Sequence, residues 1–351
     1  QVLRGNLRGG DAGCAARLGN FSQEKVLKMH RFRGAAVAAM VALAVAGCAG
    51  QGGQAEKAQA APRGDIVVDG RNVHPESIGS AADGSVFIGS MSGIVYRAGP
   101  GEDVAKPFVT PSEENGLRAV FGVLADDANG RLWVCSVANP FARPTGPAQP
   151  SEVAAFDLAS GALIGRWPFP APGGTCNDIA IGPDNAAYAT DTSGGRILRL
   201  RQGADALEVV AAHQGLVGVD GIAFGADGTM YINNVRSHTL WRVKPGTDPA
   251  APEMTQLKAN LEMNGPDGLR PVGPNRFVQA EGPAGRITLV TIEGDNADIQ
   301  IVRDGLSSTP GATLVGDTIY TVEGKIDYLV DPNLRGQDPG EFRAIAIPMP
   351  R

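Results

Sequence analysis

From residue 65 onward the chain is written in short stretches of alternating apolar and polar residues, each broken by a turn signal. Three stretches superimpose: Glu76 to Phe87 reads ESIGSAADGSVF, Asn177 to Tyr188 reads NDIAIGPDNAAY, and Asp220 to Tyr231 reads DGIAFGADGTMY. In each, a polar residue opens a strand of period two, and an Asp-Gly or Asp-Asn turn follows seven residues later. An aromatic residue then sits at plus eleven. Thr309 to Tyr320 keeps that distance, Asp267 to Phe277 is one residue shorter, and Phe121 to Trp133 is one longer. The six opening positions, 76, 121, 177, 220, 267 and 309, are separated by 45, 56, 43, 47 and 42 residues.

A period near 45 with several strands per unit predicts an all-β fold, a six-bladed β-propeller of four-stranded antiparallel blades. A hairpin around the Asp-Gly turn supplies the first two strands. Segments such as Arg196 to Leu200 and Thr239 to Val243 supply the third, and Ala206 to Val210 supplies a fourth. One such sheet cannot bury both faces, whereas six around an axis bury each against its neighbours. The last unit is short of one strand, and a spare strand stands at residues 65–69. The expected solution is that this N-terminal strand becomes the outer strand of the last blade and closes the ring, leaving no long free edge. The propeller is then one domain, residues 65–351.

The first 64 residues read differently. Residues 1–28 have no usable periodicity and resemble an upstream over-extension. Residues 29–47 begin MHRFRG and continue with twelve small apolar residues, Ala35 to Ala46. As a helix these cover ~18 Å, short of the ~30 Å hydrocarbon core of a bilayer. A basic start and a short apolar run make a secretory signal. Its end, Val45 to Cys48, resembles a bacterial lipobox, which implies lipidation at Cys48. Residues 48–64 are small and polar and read as a flexible tether. The expected address is the periplasm, anchored by lipid to a bacterial membrane, the outer one being favoured by Ala49.

Composition supports this picture and removes others. The 48 glycines and 25 prolines suit many tight turns, without the repetition of a collagen or a coiled coil. Residues 1–47 hold seven of the 31 basic and two of the 37 acidic residues, leaving 24 against 35, a net charge of −11. Such a chain repels phosphate backbones, so nucleic acid is not an expected partner. No nucleophile elbow, His-Glu-x-x-His, Cys-x-x-Cys or phosphate loop occurs. Cys135 and Cys176 either pair in an oxidising compartment or stand as two buried thiols.

The opening residues carry the chemistry. In a propeller they begin the innermost strands, so Glu76, Phe121, Asn177, Asp220, Asp267 and Thr309 converge at one channel mouth. Three carboxylates and a carboxamide on a common axis repel unless a cation joins them. Oxygen donors select a hard ion, Ca²⁺ first, with Mg²⁺, Mn²⁺ and Zn²⁺ as alternatives. The other reading is that these residues cap strands inside the channel.

The motifs His74-Pro75-Glu76, Asn177-Asp178, Val219-Asp220-Gly221 and Gly265-Pro266-Asp267-Gly268 resemble the senescence-marker-protein/gluconolactonase group, which includes regucalcin. The likeness spans about residues 70–347. It implies a calcium-dependent lactonase-type propeller in which Glu76, Asp220 and Asp267 hold the metal and Asn177 lies beside it, towards the substrate. Asp220 stands where the group often has asparagine. Thr175 replaces its arginine. The implied reaction is hydrolysis of a lactone or related ester, with the metal polarising the carbonyl and Asp267 activating water. Two long connections, Val137 to Ser151 and Gly324 to Gly340, are expected on the same face. Phe141 and Arg143 in the first are candidate substrate contacts. His238 is a reserve base and substrate contact, while His74 and His213 are less distinctive. The rival function is a non-catalytic periplasmic propeller that binds a ligand or protein, with any metal structural.

Overall fold

The Asp-Gly turns of the repeat fold locally. Ser85 N donates to Asp83 Oδ1 at 2.7 Å and Thr229 N donates to Asp227 Oδ1 at 3.0 Å. The intervening Gly84 and Gly228 have φ of 87° and 81°, left-handed backbone that glycine enters at no steric cost. Asn185 takes the same role at φ 59°. A computed structural model describes residues 64–350 apart from 144–146, 148 and 171–173. The expectations for residues 1–63, including the signal peptide and lipidation of Cys48, lie outside the described residues.

These turns join strands into meanders. The first comprises β2 (Pro75–Ser80), β3 (Val86–Ser90), β4 (Val95–Ala98) and β5 (Val104–Val109). The second comprises β6 (Ala119–Asp126), β7 (Arg131–Val137), β8 (Glu152–Asp157) and β9 (Leu163–Pro168). The third comprises β10 (Cys176–Ile181), β11 (Ala187–Asp191), β12 (Arg196–Leu200) and β13 (Glu208–Ala212). A 3-10 turn (Gln214–Leu216) leads into β14 (Val219–Phe224), β15 (Met230–Asn234), β16 (Thr239–Lys244) and β17 (Glu253–Gln256). A two-residue strand, β18 (Lys258–Ala259), then lies parallel to the outer edge of β19 (Pro266–Gly273), β20 (Arg276–Glu281), β21 (Arg286–Glu293) and β22 (Asn296–Arg303). The last run is β23 (Ala312–Val315), β24 (Thr318–Val322), a short helix α1 (Asp327–Val330) and β25 (Arg343–Pro348).

β1 (Ile66–Val68) pairs antiparallel with β25, Ile66 opposite Ala344. It also pairs in parallel with β5, Val67 opposite Val104, which the sequence did not suggest. The first and last meanders therefore share one eight-stranded sheet.

Apolar residues fill the junctions between successive meanders. Phe87 and Val95 pack with Val123 and Phe156, and Tyr231 and Leu240 pack with Leu269 and Val290. At the return, Ile78, Ile88 and Tyr96 pack with Tyr320, Val322 and Phe342. The aromatic positions of the repeat, from Phe87 to Tyr320, are all buried. The first strands touch in order, β2 on β6, β6 on β10, β10 on β14, β14 on β19, β19 on β23 and β23 on β2. The architecture is all-β and propeller-like.

Candidate functional site

Five of the six opening residues fall in β-bulges. On β10, Cys176 pairs with Asp191 and Ile179 with Ala189, so one extra residue is accommodated around Asn177 and Asp178. The same irregularity brackets Asp220 between Val219 and Ile222, and Asp267 between Pro266 and Leu269. It recurs around Glu76 and Phe121. A bulge twists the strand and re-aims a side chain. Here it leaves the opening residues outside the regular in-out alternation of the sheet. Gly221, next to Asp220, has a second purpose: a Cβ there would stand 2.3 Å from the backbone oxygen of Asp267. Buried Asn233 fastens this close approach, accepting from Gly221 N at 2.8 Å and donating to Asp267 O at 2.6 Å.

Glu76, Asp220 and Asp267 stand near enough to repel one another. Burial pushes the Glu76 carboxyl well up, and Asp220 adds repulsion. Asp220 is raised by burial and then by Asp267 and Asp178. Asp267 is raised by burial and then by Glu76. Asn177 joins them by donating through Nδ2 to Asp220 Oδ2 at 2.8 Å and to Thr192 Oγ1 at 3.1 Å. Asp220 is 3% exposed, and its Oδ1 has no hydrogen-bond partner unless it shares a proton with Asp267. A buried carboxylate oxygen left in that condition is costly.

This donor set suits a hard cation, because every candidate ligand is oxygen and one, Asp220 Oδ1, is buried with no partner beyond a proton shared with Asp267. Among the described residues no three His, Cys, Asp or Glu side chains stand at ready-made ligand spacing. A cation would therefore have to draw the carboxylates inward.

Sequence reasoning missed the strongest polar contact of the centre. Arg270 on β19 reaches across to Asp178 on β10, donating Nη1 to Oδ2 and Nη2 to Oδ1, both at 2.7 Å. Nη2 also donates to Val123 O on β6 at 3.3 Å. Both residues are under 10% exposed. Burial opposes the charge on Arg270, but Asp178 outweighs it and raises the guanidinium pKa. Asp178 occupies the position that Gly122, Gly221 and Gly268 hold in neighbouring repeats. Its Oδ2 also accepts from Ile222 N of the next meander at 3.1 Å. A carboxylate in a glycine slot, and an arginine three residues after Asp267 on an inner strand, were the available signals.

The remaining predicted residues lie apart. Thr309 is fully buried and bonded to the hydroxyl of Thr321, and Phe121 is buried. His238 is exposed at φ 57° in the turn between β15 and β16, and among the described residues no bond joins its ring to the carboxylates. The His213 ring accepts from Gly215 N at 3.0 Å as a turn cap. Arg143 is exposed, and Phe141 borders a cleft with His74 and Tyr328. Cys135 and Cys176 form a disulfide with Cα atoms 5.3 Å apart, joining β7 to the residue before Asn177.

No protein-family model and no curated protein matches the chain. Similar solved structures exist. The Malassezia sympodialis allergen Mala s 1 matches with a TM-score of 0.62 at 15% identity, over 82% of this chain and 96% of its own. Virginiamycin B lyase from Staphylococcus aureus, a catalytically inactive variant with quinupristin, matches with a TM-score of 0.54 at 14% identity, over 82% and 98%. Regucalcin from Agrobacterium tumefaciens, described as calcium-binding, matches with a TM-score of 0.53 at 14% identity, over 82% and 96%. At these identities the likeness is one of fold: a β-propeller of the kind that regucalcin and virginiamycin B lyase share.

Proposed function

We propose that the chain is a six-bladed propeller, closed by β1, whose channel binds a divalent cation and hydrolyses a lactone or related ester. The observation that carries this reading is the mutual repulsion of Glu76, Asp220 and Asp267, which come from three sheets, with Asp220 Oδ1 buried and lacking any partner beyond a proton shared with Asp267. Glu76, Asn177, Asp220 and Asp267 would hold the ion, Ca²⁺ before Mg²⁺, Mn²⁺ or Zn²⁺. Bound there, the cation would polarise the carbonyl oxygen of the substrate and stabilise its developing charge. Asp267, beside the ion, is the carboxylate assigned to take a proton from the attacking water. Asn177 orients the substrate, and Arg270 with Asp178 keeps the inner wall rigid and charge-balanced. The disulfide favours an oxidising compartment, in keeping with a periplasmic, lipid-anchored protein.

The ion pair of Arg270 and Asp178 favours a second reading, because it already bridges the centre without any ion. On that reading the propeller binds a ligand or protein and catalyses nothing.

The deciding experiment is a thermal melt in EDTA followed by graded Ca²⁺, Mg²⁺, Mn²⁺ and Zn²⁺. An ion at a hundred times its dissociation constant adds about 2.7 kcal/mol. A Ca²⁺-dependent rise, lost in Glu76→Gln and Asp267→Asn, together with hydrolysis on a lactone panel, supports the enzyme. No shift with any ion sinks the channel mechanism. A shift without hydrolysis of any lactone or ester leaves the binding protein.

A further inference from the structure

A second concave site is lined by none of Glu76, Asn177, Asp220 and Asp267. It is a cleft of about 480 Å³ bordered by His74, Phe141, Tyr328, Leu329, Arg335 and Gln337. Four stretches build it: the approach to β2, the β3–β4 turn at Met91 and Ser92, residues 139–141 after β7, and the excursion between β24 and β25 that carries α1. Each stretch is held in place. Asn139 Nδ2 donates to Met91 O at 3.0 Å, and Phe141 N donates to Asn139 Oδ1 at 2.9 Å, which projects Phe141 at 37% exposure. Arg335 donates Nε and Nη2 to Leu329 O at 3.1 and 2.9 Å. His74, buried and at φ 44°, bonds through Nδ1 to Gly324 O at 3.0 Å. A carbonyl only accepts, so Nδ1 carries the proton and Nε2 is left as an acceptor.

The chemistry of this cleft is opposite in sign to that of the channel. Its lining contains no Asp or Glu, and one cation, Arg335. Among the described residues no carboxylate pairs with that guanidinium, although the chain as a whole carries a net charge of −6. Around it stand an exposed phenyl ring, a tyrosine and aliphatic surface. A guanidinium without a countercharge, beside aromatic and apolar walls, selects an anion that carries an apolar body.

We propose that this cleft binds a small organic carboxylate bearing an apolar ring or chain, with Arg335 taking the carboxylate and Phe141 and Tyr328 the apolar part. The proposal does not rest on the channel reading, since none of the channel carboxylates lines the cleft.

Calorimetric titration of the full chain with phenylacetate and with phenylacetamide, its uncharged counterpart, tests it. Saturable binding of phenylacetate at least about tenfold tighter than phenylacetamide is expected. Arg335→Gln should remove that preference, and Phe141→Ala, on a different connection, should weaken both probes while the circular dichroism spectrum stays that of the parent. Equal affinity for the two probes, absence of saturable phenylacetate binding, or parental binding by both variants would overturn the proposal.

Discussion

The disulfide between Cys135 and Cys176 closes a loop of 41 residues and ties β7 to the first residue of β10. Cross-linking across that many residues removes chain entropy from the unfolded state worth about 4 kcal/mol. Unfolding entropy of about 2.1 cal/mol/K per residue gives a domain of about 290 residues roughly 0.6 kcal/mol/K, so the loss should lower Tm by about 6–7 °C. Both cysteines are fully buried, so a Cys135→Ala/Cys176→Ala protein also loses a little packing and should fall at the upper end. The bond also immobilises the backbone next to Asn177 and Asp178, so amide exchange over 176–181 should accelerate more than over the equivalent 219–224. Calorimetry in non-reducing buffer measures the first effect, and hydrogen exchange the second. Mass spectrometry of the unreduced digest verifies that the two peptides are joined. A fall in Tm under about 2 °C with the linked peptide present in the parent would refute the entropic argument. Uniform exchange across both segments would refute the local one.

Three further outcomes follow from the channel. Arg270→Met leaves Asp178 buried without its countercharge and should cost about 3–5 kcal/mol in urea unfolding; a loss under about 1 kcal/mol would mean that the pair is incidental. Gly221→Ala places a methyl group against Asp267 O and should cost about 1–3 kcal/mol while weakening any cation-dependent stabilisation, and an unchanged melt would contradict the close approach. The raised pKa values of Glu76, Asp220 and Asp267 mean that, without a cation, the folded state binds more protons than the unfolded state above the ordinary carboxylate range near about 4. Their stabilising contribution is complete below that range and is lost as pH rises through the folded values. The Tm difference between the parent in EDTA and Asp220→Asn should therefore shift in favour of Asp220→Asn with rising pH, and a flat difference would count against the repulsion.

The propeller-like fold was legible because its signals are local. Asp83 with Gly84, and Asp227 with Gly228, need only their own side chains and left-handed backbone to turn, and the buried aromatics from Phe87 to Tyr320 follow at nearly fixed distance. The opening residues were legible as polar groups at strand starts. Their bulges were not, because an extra residue exists only relative to a partner strand. Arg270 and Asp178 lie 92 residues apart, and nothing in the period links them. Cys135 and Cys176 could be named but not paired, since pairing depends on the separation of their Cα atoms. The parallel contact of β1 with β5 has no sequence signature, because a short apolar run such as Ile66–Val68 does not say which edge it will join.

The charge balance of the centre narrows what the channel can do. Glu76, Asp178, Asp220 and Asp267 offer four negative charges, and Arg270 returns one, spent in two short bonds to Asp178. Asn177 contributes a dipole but no charge, and its Nδ2 is already committed to Asp220 and Thr192. Three carboxylates thus remain whose mutual repulsion must be relieved, and with Asp220 buried and Glu76 and Asp267 half-buried that relief is a matter of binding positive charge. A proton shared between Asp220 and Asp267 is one form of relief, and a divalent cation among the three is the other. The two compete for the same oxygens, so an ion that stabilises the protein must displace protons and bind more weakly as pH falls. Asp220, where the resembling family often has asparagine, sharpens that competition by adding a charge that either occupant can neutralise.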